Sequence, residues 1–297
     1  MASEIQGLVI LNKPAGCSSH KMVGAARRIF NMKKIGHTGT LDPAATGVLP
    51  LLLGKATRAA ELLTAENKRY TAEILLGTVT DSLDMDGNIL AQNPVNVSAM
   101  DVERAIERFI GEIEQLPPMY SAISIGGQRL YELARKGIEV ERERRKVTIH
   151  SIEILSIELP VVTVDVRCSK GTYIRTLGAD IGEALGCGAC LQSLCRTESG
   201  SMKLEDAYTV EELEALAAEG RLNDAIIPID KMFESCSEIR LDSERATRVK
   251  NGVPIYFNRF PDGEMFRVYD ENGEFIALSE RGIADEKSCL KTVKAFY

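Results

Sequence analysis

The sequence predicts an α+β fold in which a mixed, mostly antiparallel central sheet is flanked by helices and followed by a small β-rich C-terminal domain. Strand-like and helix-like segments alternate irregularly along the 297 residues. The strand-like segments have the spacing of hairpins, which disfavours a regular array of βαβ units. From about Ile239 the pattern changes: a short helical segment over residues 243–250 precedes two strand-like segments joined by an Asn-Gly turn at residues 272–273. We therefore expect two domains, residues 1–235 and residues 236–297.

The N-terminal part of the chain is predicted to begin with a strand and a helix. Residues 7–13 (GLVILNK) are mostly apolar, and the Pro-Ala-Gly that follows favours a turn. Ser18 or Ser19 can cap a helix that runs to Phe30, since its apolar and basic residues fall on different faces. Further strands are predicted over residues 70–76, 147–159 and 161–168. Further helices are predicted over residues 99–109, 130–136, 173–185 and 210–219.

The composition is that of a soluble globular protein. Hydrophobic residues make up 44 % and charged residues 27 % of the chain, far from the composition of a disordered protein. The longest apolar stretch, residues 48–53, contains Pro50 and is too short to span a bilayer. The N-terminus has an acid where a signal peptide has basic residues, and seven cysteines, an odd number, suit reduced thiols better than disulfides. We therefore expect a cytoplasmic protein.

A glycine-rich segment over residues 36–47, GHTGTLDPAATG, contains two residues that can carry chemistry. Its glycines allow the backbone to approach a ligand closely, and Asp42 in such a loop can act as a nucleophile or a general base. A structural interpretation fits equally well, because Asp42 followed by Pro43 is typical of a helix N-cap with proline at the first helical position. His37 can likewise be a structural loop residue. The spacing leaves both interpretations open.

Two other motifs do not predict a metal site. Asp81, Asp84 and Asp86 alternate as in a calcium loop, but Asn93 occupies the position of the bidentate glutamate, so a turn with aspartate acceptors is the better interpretation. The CxxC motif at residues 187–190 has no second pair of ligands at a zinc-like spacing. We expect its cysteines to be small buried side chains.

Two basic segments are candidates for binding. Residues 170–175 (KGTYIR) end a predicted strand and open a predicted helix. The arginine of this segment can pair bidentately with a carboxylate or phosphate, and its tyrosine can stack on a planar ring. Basic residues over 142–146 alternate with glutamates, so a solvated charged face is the first interpretation and an RNA-contacting strand the second.

Five segments that follow one another along the chain carry a further signal. They are NKPAGCSS at residues 12–19, GHTGTLDPAATGVLP at 36–50, NKRYTAEILLGTVTDSLDMDG at 67–87, PPMYSAISIGGQRLYELARKG at 117–137 and KGTYIRTLGADIG at 170–182. Together they resemble the TruB family of bacterial tRNA pseudouridine synthases, over about residues 7–200 and more loosely beyond. The resemblance implies a pseudouridine synthase fold followed by a PUA-like RNA-binding domain.

The same resemblance implies an enzyme that isomerises uridine 55 in the T-loop of tRNA to pseudouridine. The bond from uracil N1 to the ribose breaks, the base turns and is rejoined through C5, so no redox cofactor, nucleotide or metal is required. The sequence has neither a Walker loop nor a GxGxxG motif after a strand. It does not decide whether a carboxylate attacks the ribose C1′, assists departure of the uracil in an elimination, or adds to C6 of the base. The expected partner is the T-loop and stem of tRNA, bound by a monomer with no obligatory protein partner and no membrane.

The central site residues follow from the resemblance. Asp42 is the nucleophile, and Arg175 pairs with it and keeps it ionised and oriented. Tyr70 and Tyr173 match the tyrosines of the uracil pocket, and Tyr70 is also placed to handle a proton. His37 matches a residue that helps to displace the flipped-out base from the RNA stack.

The resemblance assigns roles to three further residues, and at two other positions this sequence departs from the family pattern. Leu194 matches an apolar residue of the uracil pocket, Lys13 a packing or charge partner near the loop, and Asp84 an acid that contacts RNA or organises the pocket. Cys190 and Cys195 replace residues of a histidine-leucine pair and a leucine-arginine-arginine run. We expect the second departure to weaken RNA binding more than the chemistry.

Net charge and its distribution point in different directions. The formal charge of −7 by itself disfavours a nucleic-acid partner. However, residues 1–70 carry ten basic and four acidic side chains, and residues 128–150 carry seven and four. Since phosphate contacts are local, we predict a basic face around the Asp42 loop. The residues expected to contribute to it are Arg27, Arg28, Lys33 and Lys34.

Two other functions compete with the preferred one. A tRNA-binding or tRNA-folding chaperone, with secondary or lost catalysis, would need the same RNA surface but not the intact set of site residues. A guide-RNA-dependent relative that acts inside a ribonucleoprotein is less favoured, because such proteins usually carry a longer chain with a lysine-rich extension.

Overall fold

A nine-stranded sheet between residues 7 and 203 forms the body of the chain. In this computed structural model the described residues are 5–121, 123–257, 259–284 and 286–297. The strands of this sheet and of two short hairpins beside it are β1 Gly7–Lys13, β2 Ile35–His37, β3 Thr46–Leu53, β4 Lys68–Leu76, β5 Thr78–Thr80, β6 Ile89–Gln92, β7 Gly111–Gln115, β8 Ser124–Ile125, β9 Gln128–Arg129, β10 Arg145–Glu158, β11 Val161–Cys168, β12 Ala189–Ser199 and β13 Met202–Lys203. The α-helices are α1 Ser19–Ile29, α2 Ala60–Thr64, α3 Ala99–Glu107, α4 Leu130–Ala134, α5 Ile174–Ala184, α6 Val210–Ala218 and α7 Ser243–Lys250.

The order of the strands is β1-β3-β12-β4-β11-β10-β7, with β2 beside β3 and β13 beside β12. Of the pairs formed by the described residues of this sheet, β3 with β12 is parallel and the others are antiparallel. The sheet is therefore mixed and mostly antiparallel, which confirms the predicted fold class.

The two strands that form the parallel pair are not among the predicted ones. In β3 the residues from Gly47 onward are all buried, so there is no alternation of apolar and polar positions to indicate a strand. In β12 the register shifts between Leu191 and Ser193 and again between Arg196 and Glu198. Each such bulge moves the following side chains to the other face, which hides the period of two.

Helices α1 and α5 form where the sequence predicts them. The Ser18 side chain accepts a hydrogen bond from the Lys21 N–H and caps α1. Strand β11 ends at Cys168 and α5 begins at Ile174, so the KGTYIR segment joins a strand to a helix. Helix α5 packs on the sheet through Leu177, which lies in the same buried cluster as the β4 residue Ala72.

A second, five-stranded sheet forms the β-rich C-terminal domain that the sequence predicts. Its strands are β14 Ser237–Arg240, β15 Ile255–Tyr256, β16 Met265–Tyr269, β17 Phe275–Ala284 and β18 Lys287–Ala295, in the order β14-β16-β17-β18-β15. Leu278 and Phe296 pack in one buried cluster with Leu8 and Val48 of the first sheet. The domain boundary between residues 235 and 236 stays a prediction.

The structure bears on two expectations, that the cysteines are reduced and that no segment spans a membrane. The seven cysteines are free, and those of the CxxC motif, Cys187 and Cys190, are buried. In the described part of the chain, no helix combines the length and the apolar character needed to cross a bilayer.

Candidate active site

Asp42 lies in a loop without helical structure that joins β2 to β3. Strand β2 ends at His37, β3 begins at Thr46, and the residues between them form bends and irregular backbone. One turn is closed by a hydrogen bond from the Ala45 N–H to the Asp42 carbonyl, 3.1 Å. The interpretation of Asp42 as a helix N-cap is therefore wrong, because no helix follows it.

Lys13 fixes the segment on the C-terminal side of Asp42. Its ammonium is completely buried and donates hydrogen bonds to the carbonyls of Pro14, Cys17 and Pro43 at 2.9, 2.8 and 3.1 Å. Burial lowers the pKa of Lys13, and the nearby Cys17 and Asp42 oppose that shift. Lys13 acts on the residue next to Asp42 and holds the Asp42 loop by its main chain.

Ser19 and Arg196 fix the other parts of the loop. The Ser19 hydroxyl accepts from the Leu41 N–H at 2.8 Å and donates to the Leu41 carbonyl at 3.1 Å. The buried guanidinium of Arg196 donates from Nε to the Val48 carbonyl at 2.7 Å and from Nη2 to the Gly39 carbonyl at 3.2 Å. Side chains from β1, α1 and β12 thus hold the backbone on both sides of Asp42.

The Asp42 carboxylate forms an ion pair with Arg175, and Arg175 also contacts Asp84. Arg175 Nε lies 2.9 Å from Asp42 Oδ2, and Nη1 lies 3.5 Å from Asp84 Oδ2. The guanidinium is itself held by the carbonyls of Ser82 at 3.0 Å and Tyr120 at 2.7 Å. The Arg175 side chain is 5 % exposed while that of Asp42 is 38 % exposed. A buried cation therefore orients a carboxylate that remains accessible.

The pKa of Asp42 depends on more than its ion pair with Arg175. Burial raises the pKa of Asp42 above its usual value of 3.8; Arg175 lowers it, and Asp84 raises it further. The net shift is upward, and the role of Arg175 in keeping Asp42 ionised stays a prediction. Arg175 opposes a shift that burial and a second carboxylate produce.

A cavity of about 590 Å³, here called the tyrosine cavity, opens beside Asp42. Tyr70, Tyr173 and Leu194 contribute aromatic and apolar surface to its wall. Within the described part of the chain, the wall also contains six cationic side chains and one carboxylate, that of Asp42. The six cations are Lys68, Arg145, Lys146, Lys170, Arg175 and Arg196.

The two tyrosines of this cavity are held as neutral phenols. Burial raises the pKa of Tyr70, and the neighbouring Arg196 opposes the shift. Burial also raises the pKa of Tyr173. The main chain of Tyr173 is fixed by Gln115, whose amide accepts from the Tyr173 N–H at 3.0 Å and donates to its carbonyl at 3.2 Å. Two rings of defined position can therefore stack against a planar ligand.

A second cavity of about 850 Å³, here called the hairpin cavity, adjoins the first, since Asp42 and Arg175 line both. His37 and Asp84 line this one. The Gly39 N–H donates to His37 Nδ1 at 3.3 Å, and burial, Arg196 and His20 lower the pKa of His37. The lowered pKa favours a neutral imidazole at neutral pH.

Asp84 belongs to the turn between β5 and β6. Its Oδ1 accepts from the Ser82 hydroxyl and from the Asp86 N–H at 3.2 Å. Asp81 in the same turn accepts from the Asn88 N–H at 2.9 Å. The turn with aspartate acceptors that the sequence predicts is therefore confirmed.

The predicted site residues thus fall into three groups. Asp42, Tyr70, Tyr173, Arg175 and Leu194 line the tyrosine cavity. Those that line the hairpin cavity together with Asp42 and Arg175 are His37 and Asp84. Lys13 lines neither cavity and acts through the main chain of the loop.

The cations in these walls are not those named for the predicted basic face. Arg129 and Arg135 line the hairpin cavity with Arg175. The four residues named for that face, Arg27, Arg28, Lys33 and Lys34, line neither cavity. Much of the positive charge of the walls still comes from the two predicted basic segments, 1–70 and 128–150, through Lys68, Arg129, Arg135, Arg145 and Lys146.

Lys68 and Arg196 also line the tyrosine cavity, but neither is among the site residues predicted from the sequence. Lys68 lies two positions before Tyr70 in β4, so the alternation of side chains places both on one face. That spacing is the signal that identifies Lys68. Arg196 stands at the end of the segment that matches the leucine-arginine-arginine run, and its place in the wall follows from β12, where its register partner in β4 is Tyr70.

Comparison with family models and curated proteins supports one assignment. Residues 27–174 match the model described as TruB family pseudouridylate synthase (N terminal domain), residues 175–234 match the tRNA pseudouridylate synthase B C-terminal domain, and residues 237–282 match Pseudouridine synthase II TruB, C-terminal. The tRNA pseudouridine synthase B of Alkaliphilus oremlandii is 47 % identical over 280 residues, covering 92 % of both chains. That of Geobacillus kaustophilus is 46 % identical over 264 residues, covering 86 % of this chain and 93 % of the relative.

Solved structures show a similar fold. A chain of the H/ACA ribonucleoprotein bound to a substrate RNA containing 2′-deoxyuridine has a TM-score of 0.72 and 26 % identity, over 98 % of this chain and 85 % of that one. A chain of a Cbf5-Nop10-Gar1 complex has a TM-score of 0.73 and 28 % identity, with the same coverage. The likeness extends over both sheets.

Proposed function

The chain belongs to the TruB family of pseudouridylate synthases, and from that premise we propose that it converts uridine 55 in the T-loop of tRNA to pseudouridine with Asp42 as the nucleophile. It is a tRNA pseudouridine synthase, an isomerase that forms pseudouridine from uridine in tRNA. The finer points, the position of the uridine and the role of each residue, are the content of the proposal.

One observation carries the proposal more than any other. The Asp42 carboxylate is accessible, is oriented by a buried arginine, and faces a cavity lined by Tyr70, Tyr173 and Leu194. A planar base between aromatic and apolar side chains would lie beside a carboxylate whose main chain is held on both sides. Proximity of this kind is a large part of catalysis.

The reaction balances without a cofactor. The bond between uracil N1 and ribose C1′ breaks, the base turns, and a bond forms between C5 and C1′; the hydrogen on C5 leaves as a proton and N1 acquires one. Asp42 can attack C1′, assist the departure of the uracil, or add to C6. Tyr70, as a neutral phenol beside Asp42, is the proposed group for handling a proton and for stacking on the base.

The substrate must be presented in an extruded form. A base inside a folded RNA loop cannot reach a carboxylate in a cavity without leaving its stack. We assign His37, in the wall of the hairpin cavity beside Asp42, to displacing the base. Asp84 organises the wall of the same cavity, and Lys13 keeps the Asp42 loop in place.

The proposal also covers the domains, the oligomeric state, the cellular location and the partners of the protein. The C-terminal domain, residues 236–297, is proposed to be PUA-like and to bind RNA, and residues 1–235 to form the catalytic domain. We propose a cytoplasmic monomer that acts on tRNA without an obligatory protein partner. The H/ACA ribonucleoprotein neighbours are 26–28 % identical, whereas the tRNA pseudouridine synthase B relatives are 41–47 % identical, and the higher identity favours a tRNA substrate.

The test is product formation by an Asp42→Ala protein. With unmodified tRNA labelled by tritium at uracil C5, the wild-type protein releases tritium, and Asp42→Ala releases none while binding tRNA with similar affinity. Pseudouridine formed by a clean Asp42→Ala preparation would refute the role of Asp42. A chaperone without catalysis would instead show no release with either protein.

The position of the target uridine needs a second experiment. Pseudouridine is mapped in total RNA from cells that lack the gene and from the parent strain. Loss confined to position 55 of tRNAs supports the proposed substrate, and loss at other positions with position 55 intact would overturn it.

A further inference from the structure

Lys68 is a buried ammonium in the wall of the tyrosine cavity that the proposed mechanism does not use. The residue is 7 % exposed and lines the cavity together with Asp42 and Tyr70. Among the described residues, Nζ donates hydrogen bonds to the carbonyls of Thr64, at 2.8 Å, and Glu66. An ammonium has three hydrogens, so one remains for the cavity.

Lys68 lies close to the tyrosine that is proposed to stack on the target base. In β4, Lys68 and Tyr70 project from the same face, about 6.7 Å apart along the strand. Tyr70 is the residue proposed to stack on the uracil. A group that extends from the target nucleotide along β4 would therefore reach the Lys68 ammonium next.

The charges around Lys68 are not balanced. Among the described residues, the cavity wall contains six cations and one carboxylate, that of Asp42. Arg175 pairs with Asp42 and Asp84, and Lys146 pairs with Glu112 outside the wall, which leaves four wall cations without a carboxylate at ion-pair distance in the described part of the chain. Burial lowers the pKa of Lys68 to about 8; Arg196 and Lys170 lower it as well, while Glu66 and Cys168 oppose the shift. A cluster of cations with so little negative charge is stabilised when an anion enters it.

We propose that Lys68, with Lys170 at the rim of the cavity, binds a backbone phosphate adjacent to the target uridine and so positions that nucleotide against Asp42. This inference deepens the proposed function and rests on it, because the anion is a phosphodiester of the substrate RNA. Phosphate contacts fix the register of a nucleic acid on a protein, and here the register determines which base reaches Tyr70.

A structural role for Lys68 is the competing explanation. Its ammonium also satisfies the Thr64 carbonyl at the end of α2, and removing it could disturb α2 rather than RNA binding. The two explanations differ in one respect. A phosphate contact makes the effect of the protein mutation depend on the charge of one phosphate in the RNA, whereas a structural role does not.

The test combines a protein variant with a chemical change in the RNA. T-arm stem-loop RNAs are prepared with a neutral methylphosphonate in place of the phosphate on the 5′ or the 3′ side of the target uridine. Wild type, Lys68→Met and Arg69→Met are compared in binding and single-turnover pseudouridine formation. Arg69 is the matched control, since it is adjacent in β4 but is paired with Asp165 and Glu198.

We expect one of the two neutral RNAs to bind wild type and Arg69→Met about 10-fold more weakly, and Lys68→Met with less than a 2-fold change. With the natural RNA, Lys68→Met binds about 10-fold more weakly, and the slope of log affinity against log salt falls by about 0.7 to 0.9, the value for one phosphate contact. Equal sensitivity of wild type and Lys68→Met to both methylphosphonates would overturn the inference.

If Lys68→Met does not fold, the binding of the two methylphosphonate RNAs to the wild-type protein still tests the inference. A wild-type protein indifferent to both methylphosphonates also overturns the inference. Absence of pseudouridine from wild type and natural RNA would refute the proposed function instead, so the two failures are distinguishable.

Discussion

Asp42 and Asp84 contact the same guanidinium, yet the two loops that carry them hold their carboxylates in opposite ways. Asp84 is 13 % exposed and accepts hydrogen bonds from Ser82 and Asp86 within its own turn. The Asp42 side chain is 38 % exposed and lines both cavities. The Asp84 carboxylate accepts hydrogen bonds within its own turn, so it is suited to holding Arg175 in position. The Asp42 carboxylate is oriented by Arg175 and open to a cavity, so it is suited to reacting with a bound substrate.

The backbones of the two loops also differ in where their hydrogen-bond partners lie along the chain. The Asp42 loop is held by side chains from distant segments, Lys13, Ser19 and Arg196. The Asp84 turn is held largely by its own residues, although its backbone also pairs with Leu191 of β12. Hydrogen bonds from distant side chains fix the backbone around Asp42 without using its carboxylate oxygens. In the Asp84 turn, by contrast, one carboxylate oxygen already accepts hydrogen bonds from Ser82 and Asp86.

The largest expected effect separates the two acids. Asp42→Asn should lower the single-turnover rate by at least about a thousandfold, because loss of a nucleophile removes the reaction path. Asp84→Asn should lower it by about tenfold or less, since the amide oxygen can still accept from Ser82 and the Asp86 N–H. The measurement is rapid-quench formation of pseudouridine at saturating enzyme. Similar losses in both variants would contradict the distinction between a reacting and a positioning acid.

A second comparison concerns two glycines: Gly47 in β3, immediately after the Asp42 loop, and Gly87 in the Asp84 turn. A Cβ on Gly47, at φ +99, would lie 2.2 Å from the Arg196 carbonyl oxygen, a main-chain atom that cannot rotate away. A Cβ on Gly87 would lie 2.2 Å from the Ser82 hydroxyl and 2.4 Å from Asp81 Oδ1, which are side-chain atoms. Gly47→Ala should therefore cost at least about 3 kcal/mol of folding stability and Gly87→Ala about 1 to 2 kcal/mol.

Urea denaturation of the three proteins measures this difference. Wild type and both variants should unfold with similar slopes, so that the midpoints report stability. Equal midpoints for Gly47→Ala and Gly87→Ala would show that the Asp42 loop is no more constrained by distant backbone than the Asp84 turn.

The same contrast explains how much of this molecule is predictable from its sequence. Helix α1 with its Ser18 cap, the Asp81–Asp84 turn and the strand-to-helix junction before Arg175 depend on local hydrogen bonds and periodicity, and they form as predicted. The family resemblance supplies the candidate residues around Asp42.

What the sequence does not predict depends on pairing between distant segments. Strand β12 is interrupted by two bulges, so the roles of Arg196 in the wall and in the loop become visible only with its register against β4. Lys68 looks like an ordinary lysine of a strand until burial and the cavity are known. The net direction of the Asp42 pKa likewise depends on burial and on Asp84, which no local motif specifies.

The smallest expected effect is a shift in the pH dependence. Because burial and Asp84 raise the pKa of Asp42 above 3.8, the single-turnover rate of wild type should fall as the pH falls through that raised pKa. The two carboxylates contact the same guanidinium, and the negative charge of Asp84 disfavours ionisation of Asp42. Asp84→Asn removes this repulsion and should move the acid limb to lower pH.

The direction of the shift distinguishes two roles of Asp84. If Asp84 acts on Asp42 through its charge, the limb moves down in Asp84→Asn, and the control Asp81→Asn, in the same turn but outside the Arg175 ion pair, leaves it in place. If Asp84 acted chiefly by holding Arg175 against Asp42, its loss would weaken that stabilising pair, and the limb would move to higher pH. Since Arg175 is also fixed by the carbonyls of Ser82 and Tyr120, its position does not depend on Asp84 alone, and we expect the downward shift.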